Sequence, residues 1–247
     1  MLQGAVVSVN RNDVYSFTKP VWDEIVLLAG IGVEGDVHAG VRVKHRGRVR
    51  ADPTQPNLRQ VHLMQAELFG EVGAKGYTVA PGDLGENVTT SGIDLLALPR
   101  GTILRFGPPP LPADGTVQAE AAGVTGGAGV AAAGGVGVLE GVLAAAAATT
   151  LDEATAAATD AVAAAAGRDD GADPRPAVIV AGLRNPCAQI NGFQRGLLKE
   201  MVEHDAEGNV IRKAGVMAVV LRSGPVRAGD AVVAELPPRP HARLDRV

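Results

Sequence analysis

AVIVAGLRNPCAQI, residues 177–190, is the stretch on which fold and function both turn. AVIVA (177–181) is a continuous apolar run, the pattern of a strand buried on both faces. Gly-Leu-Arg-Asn-Pro follows it. Pro186 fixes its own φ and biases Asn185 towards extended geometry, so the strand end can present the next residue rigidly. That residue is Cys187, the only cysteine of the chain. Arg184 precedes it by one turn's worth of sequence. A guanidinium close in space favours the thiolate, which is both the nucleophile and the metal ligand. The residues alone leave Cys187 open between an inert buried thiol, a nucleophile, a sulfur carrier and a metal ligand.

Other short runs around this one also read as strands. Gly4–Val9 is β-branched. Arg59–Met64 (RQVHLM) alternates polar and apolar residues, as does Thr102–Phe106 before a Gly-Pro stop. Val216–Leu221 is continuously apolar, SGPVRAGD reads as a turn, and Ala231–Leu236 as a final strand. Short helices are expected at Gln65–Val72 and around Gln194–Val202. Many short strands punctuated by Gly and Pro predict a mostly β protein with small helices, a barrel or a sandwich.

The texture changes between residues 108 and 175, from GPPPLPADG to GRDDGADPRP. Residues 1–107 and 176–247 therefore read as one domain interrupted by an Ala/Gly-rich insertion. Thr150-Leu-Asp-Glu153 has capping-box spacing for a helix that runs to Ala166, with Gly167 ending it. Gly137–Ala148 is a candidate earlier helix. Neither helix carries a broad face of long apolar side chains. The insertion is expected to be a loosely packed, partly helical or disordered surface arm without chemistry of its own.

Composition narrows the function. The net charge is −4 and the pI near 5.7. A nucleic-acid partner is not expected, because phosphate binding needs a dominant basic surface. A lone cysteine excludes an intramolecular disulfide and a multi-cysteine zinc cage, and suits a reducing cytoplasm. The start has no basic segment followed by an apolar one, so no signal peptide is expected, and the Ala-rich middle is too interrupted to span a membrane. There is no ferredoxin-type cysteine set and no dinucleotide fingerprint; GVTGGAGVAAAGG (123–135) lacks the strand–turn–helix context.

Three further stretches carry polar groups. GIGVEGDVHAG (30–40) sets Asp36 and His38 among glycines, either as ligands or as a hydrogen-bonded turn. VKHRGRVR (43–50) clusters Lys44, His45, Arg46, Arg48 and Arg50, a phosphate patch or a solvated loop. PGDLGENVTTSGIDLLALPRG (81–101) offers Glu86, Asn87 and backbone amides, an anion nest or a structural loop. His62 or His38 could approach Cys187, but no Ser-His-Asp or Cys-His-Asn arrangement is evident.

Taken in order, GVEGDVHAG, RQVHLM with AELF, PGDLGENVTTSGIDLLALPRGT, GLRNPCAQI and GVMAVVLRSGPVRAGD resemble the MOSC domain, the C-terminal part of molybdenum cofactor sulfurase, which also occurs as stand-alone bacterial proteins. The resemblance covers nearly all of residues 1–107 and 177–247. It implies a MOSC-type β-barrel that binds the pterin molybdenum cofactor, with Cys187 carrying sulfur or ligating molybdenum. It implies that Arg59, Arg184 and the patch Lys44, His45 and Arg46 neutralise the cofactor's phosphate. Asp36, Glu86 and Asn87 would hydrogen-bond the pterin, and His38 and Asn185 complete the set facing the cofactor. Pyridoxal phosphate would enter only through a partner cysteine desulfurase, since no room remains for that domain. The alternative is an oxidoreductase that reduces N-hydroxylated substrates, with a separate electron-transfer protein as donor. A third is a non-catalytic small-molecule-binding domain. A molybdoenzyme is a further partner the resemblance implies.

Overall fold

The structure, a computed structural model, describes residues 2–108 and 136–247. The glycine-rich 123–135 run and most of GPPPLPADG lie outside the described residues.

The strands are β1 (Leu2–Asn10), β2 (Val21–Trp22), β3 (Glu24–Leu28), β4 (Gly32–Val33), β5 (Val61–Gln65), β6 (Val88–Ser91), β7 (Ile103–Phe106), β8 (Ala177–Leu183), β9 (Val202–His204), β10 (Val210–Arg212), β11 (Val216–Arg222), β12 (Gly224–Arg227) and β13 (Ala231–Glu235). The main sheet runs β13-β7-β8-β11-β5-β6-β1-β2, and β13 also pairs with β1, which closes the ring and leaves β2 outside it. β5 and β6 pair in parallel; the other ring pairs are antiparallel. This is the expected β-barrel, and closure leaves its ring without a free edge.

Alternation along β8 and β11 explains why both read as continuous apolar runs. Val178 and Val180 join Val216, Ala218 and Val220 in the cluster that fills the barrel. Ala177, Ile179 and Ala181 join Met217, Val219 and Leu221 in a second cluster outside it. That outer cluster is completed by the insertion, through Leu139 and Val142, and through Ala158, Val162, Ala165 and Ala166. The helices are α1 (Arg46–Ala51), α2 (Glu67–Gly73), α3 (Glu140–Ala147), α4 (Glu153–Arg168), α5 (Gln189–Phe193) and α6 (Leu197–Glu200). α3 and α4 therefore cover the barrel wall. The described part of the insertion, from residue 136, is largely helical and is packed rather than loose. Small alanines suffice because they let a helix lie close to a β-branched sheet surface.

Ions add to this packing. Asp169, at the end of α4, receives Arg105 Nη2 of β7 at 3.0 Å and Arg222 Nη2 of β11 at 2.5 Å. All three side chains are nearly inaccessible.

Several boundaries differ from the sequence reading. Asp152, not Thr150, caps α4: its carboxylate accepts Thr155 N at 2.8 Å. Either residue type can cap, and Asp152 stands directly before the first helical residue. The helix expected around 194–202 ends at Glu200, and α5 precedes it. Gly196 separates the two at φ +91°, a conformation that L side chains disfavour. The strand expected from Arg59 begins at Val61.

Candidate functional site

α5 and α6 pack through Ile190, Leu197 and Met201 against Leu68 and Val72 of α2 and against Met64 at the end of β5. This cluster fixes the far side of the loop that leaves β8. The near side is held by Arg184 N, which donates to Gly215 O at 2.9 Å. Between these anchors stand Asn185, Pro186 and Cys187. Cys187 is half-buried, and its Sγ lies 3.6 Å from Gln189 Oε1. The turn thus presents the thiol as the Pro-containing sequence predicts.

Arg184 is buried, its guanidinium carbon 5.8 Å from the Phe17 ring centre, and its Nη1 has no hydrogen-bond partner among the described residues. Burial lowers its pKa, while the charges of Cys187 and Glu86 act the other way. Arg59 donates Nη1 to Val247 O at 2.6 Å. Burial, then the charges of Arg184 and Arg48, push its pKa down to about 9, against the pull of Cys187. Arg59 remains charged at neutral pH, and both guanidiniums line the cavity with Cys187.

The glycine stretch 30–40 builds the opposite wall. Gly35 has φ +71°, and a Cβ there would meet Arg11 Nη1 at 2.2 Å. The tight turn sends Asp36 inwards. Its Oδ1 accepts His38 N at 2.9 Å and faces His38 Nδ1 at 3.2 Å. Its Oδ2 accepts Lys19 Nζ at 2.6 Å and Asn87 Nδ2 at 3.0 Å. Burial opposes the charge, but His38 and Lys19 outweigh it and hold the carboxyl well below the usual carboxylate range. Asn57 Nδ2 then clamps the turn by donating to His38 O and Gly40 O, each at 2.9 Å.

These walls enclose a cavity of about 580 Å³. Arg59, Arg184, Arg46 and Arg48 line it together with His38, His45, His62 and Cys187; among the described residues no Asp or Glu does. The lining imidazoles are not equivalent. Burial comes first in pushing His45 down to about 4, followed by the charge of Arg59. Burial also drives His62 well below its ordinary value, so the neutral ring donates Nε2–H to Ala214 O at 2.8 Å. The cavity is therefore lined by several guanidiniums, groups whose chemistry suits an anion, and by one half-buried thiol.

The expected residues separate into two groups. Arg59, Arg184, Asn185, His45, Arg46, His38, Asn87 and Cys187 line the cavity. Lys44, Asp36 and Glu86 do not. Lys44 contributes its carbonyl, which accepts the Tyr15 hydroxyl at 2.9 Å. Asp36 has its oxygens occupied, so it supports the wall instead of meeting a ligand. Glu86 Oε1 accepts Gly82 N at 2.7 Å and Thr89 Oγ1 at 3.2 Å, and burial raises its pKa. Asn87 reaches the wall, but its Oδ1 accepts His62 N and its Nδ2 serves Asn10 O and Asp36, so its amide is spent on the frame. Sequence reasoning missed Lys19, Tyr15, Phe17 and Asn57. Lys19 and Asn57 act through partners far along the chain, and no local pattern marks them.

Among the described residues no three His, Cys, Asp or Glu side chains gather as a metal cage, and no helix is long and apolar enough to cross a membrane.

No family model and no curated protein matches this chain. Among solved structures it is similar to the YUAD protein of Bacillus subtilis, at 18% identity over 96% of this chain and 97% of that one, with a TM-score of 0.58. It is also similar to YiiM of Escherichia coli, at 15% identity over 98% of this chain and 74% of that one, with a TM-score of 0.48. The first likeness shows the barrel fold.

Proposed function

We propose that this chain is a MOSC-type protein that binds the pterin molybdenum cofactor in the cationic cavity and handles sulfur through Cys187. The observation that carries the reading is the buried Arg184, whose Nη1 has no hydrogen-bond partner among the described residues. An unpaired buried guanidinium is costly unless a ligand completes it.

The donor set suits such a group. The wall offers cations for a phosphate and one soft thiolate for a soft metal or a persulfide. When bound, the cofactor supplies a metal centre capable of sulfur, oxygen or electron exchange. Arg184 and Arg59 bind the phosphate, with Arg46 and Arg48 adding charge at the rim. Cys187 holds sulfur or ligates the metal. A desulfurase with its own pyridoxal phosphate supplies the sulfur, and a molybdoenzyme is the recipient.

A second reading, reduction of N-hydroxylated substrates with electrons from a partner protein, is favoured by His38. Its Nδ1 is engaged by Asp36, which leaves Nε2 available on a cavity-lining ring.

Purification from a molybdenum-replete host, with measurement of bound molybdenum and pterin, tests the first reading. Wild type is expected to retain both, Cys187→Ser to lose the metal or its sulfur, and Arg184→Gln to lose pterin. If wild type carries neither, and reconstitution fails equally for wild type and Cys187→Ser, the reading is wrong. Turnover of an N-hydroxylated purine with a reducing partner separates the second reading from the first.

A further inference from the structure

We infer that His38 is the proton-exchanging residue of the cavity and that Asp36 is its positioning residue. The inference rests on the reading above for its substrate, though its geometry stands independently.

Two bonds fix the His38 segment: its N–H donates to Asp36 Oδ1, and its carbonyl accepts Asn57 Nδ2. A third fixes the ring, because Nδ1 faces the same Asp36 oxygen at 3.2 Å. The carboxylate can only accept, so Nδ1 carries the proton and Nε2 is the exchangeable site. The ring is also held by its neighbours. Tyr15 meets it edge-on at 5.8 Å, and His45 stacks at 6.5 Å between centroids. The side chain is 25% exposed while that of Asp36 is 0%.

Every charged group known to face the ring bears on its proton. Asp36 Oδ1 accepts the proton on Nδ1. His45 is neutral above pH of about 4 and adds no charge at neutral pH. The Tyr15 ring carries the Arg46 guanidinium 4.7 Å from its centre, and Lys19 balances the second Asp36 oxygen. An imidazole held this way can give a proton and recover it from solvent while its Nδ1–H stays on Asp36.

In reduction of an N-hydroxylated base the N–O bond breaks and its electron pair goes to oxygen. His38 Nε2 gives that oxygen a proton, so it departs as water. Two electrons from an external one-electron donor protein and a second proton from solvent complete the amine. Solvent then reprotonates Nε2.

Ring ¹⁵N shifts in the free protein labelled with [¹⁵N]histidine test the geometry; the His38 signals are those missing in His38→Gln. The expected neutral tautomer has Nδ1–H and bare Nε2. A neutral ring with the proton on Nε2 overturns the inference. In cofactor-loaded protein, His38→Gln keeps both backbone bonds. It is expected to lower kcat about a hundredfold, to leave KM and cofactor content unchanged, and to remove the alkaline limb of the pH profile, where a proton donor is lost. Wild-type turnover matched by the variant overturns the inference and leaves the functional reading intact. If neither protein takes cofactor, that reading falls, and the tautomer alone decides whether a proton-exchanging imidazole faces the cavity.

Discussion

The Lys19 ammonium lies 2.6 Å from the Asp36 carboxylate, and the two side chains are 4% and 0% exposed. The pair links the segment before β2 to the glycine turn, so the wall carrying His38 depends on a residue that no local motif marks. Removing one member leaves the other charge buried and unpaired, at a cost of about 3–5 kcal/mol. Asp36→Ala is therefore expected to lower the unfolding free energy measured in urea by that amount. Because the folded carboxyl sits below its ordinary value of 3.8, the stability it contributes is present above that pH and lost on acidification below it.

Asp169 bridges Arg105 and Arg222; its loss leaves the buried Arg222 without its carboxylate, while Arg105 keeps Glu235. Asp169→Ala is expected to cost about 3–5 kcal/mol in urea unfolding. Amide exchange in α4 should rise more than in β5, because the latch ties α4 to the wall formed by β7 and β11.

His45 sets a second pH dependence. Its folded pKa of about 4 lies below the ordinary 6.5, so the unfolded chain binds more protons between those values. Thermal stability is expected to rise with pH across this window, and His45→Gln to flatten that rise. Inorganic phosphate in the cavity should favour the imidazolium, so its binding is expected to take up protons near pH 5. Calorimetry in two buffers of different ionisation enthalpy would measure the uptake.

Cys187 should react with iodoacetamide in the folded protein, since it is half-buried and flanked by two guanidiniums. Arg184→Gln removes the nearer charge in sequence and is expected to slow alkylation several-fold, with urea stability monitored alongside. A folded wild-type thiol that resists alkylation without bound metal would support a non-catalytic binding domain.

Gly82 has φ +87°, and a Cβ there would lie 2.1 Å from Lys19 O. Lys19 N donates to Gly82 O at 2.9 Å, so the two backbones already cross closely there. Gly82→Ala is expected to cost about 1–3 kcal/mol from backbone strain, with a further loss from the displaced Lys19. A chemical melt that left the midpoint unchanged would show that this crossing yields freely.

The strands at 4–9, 102–106, 177–181, 216–221 and 231–236 were legible because their patterns follow from the period of a strand. So was the loop that presents Cys187, since proline and arginine act on neighbours a few residues away. The frame of the cavity was not. Asp36 looked like a ligand because its type suits one; only the fold brings Lys19 and Asn87 to occupy its oxygens. Glu86 was misplaced for the same reason.

The amino-acid sequence by itself determined a mostly β chain, a lone cysteine presented behind a buried strand, and a helical segment within the insertion. AVIVA even announced that both faces of β8 are covered. What covers the outer face was decided only by tertiary structure, where alanines of α4 meet Ile179 and Val219 at a distance that no local pattern encodes. The same holds for the cavity: Arg59 and Arg184 stand far apart along the chain, but barrel closure gathers them around one thiol and leaves the carboxylates behind the wall.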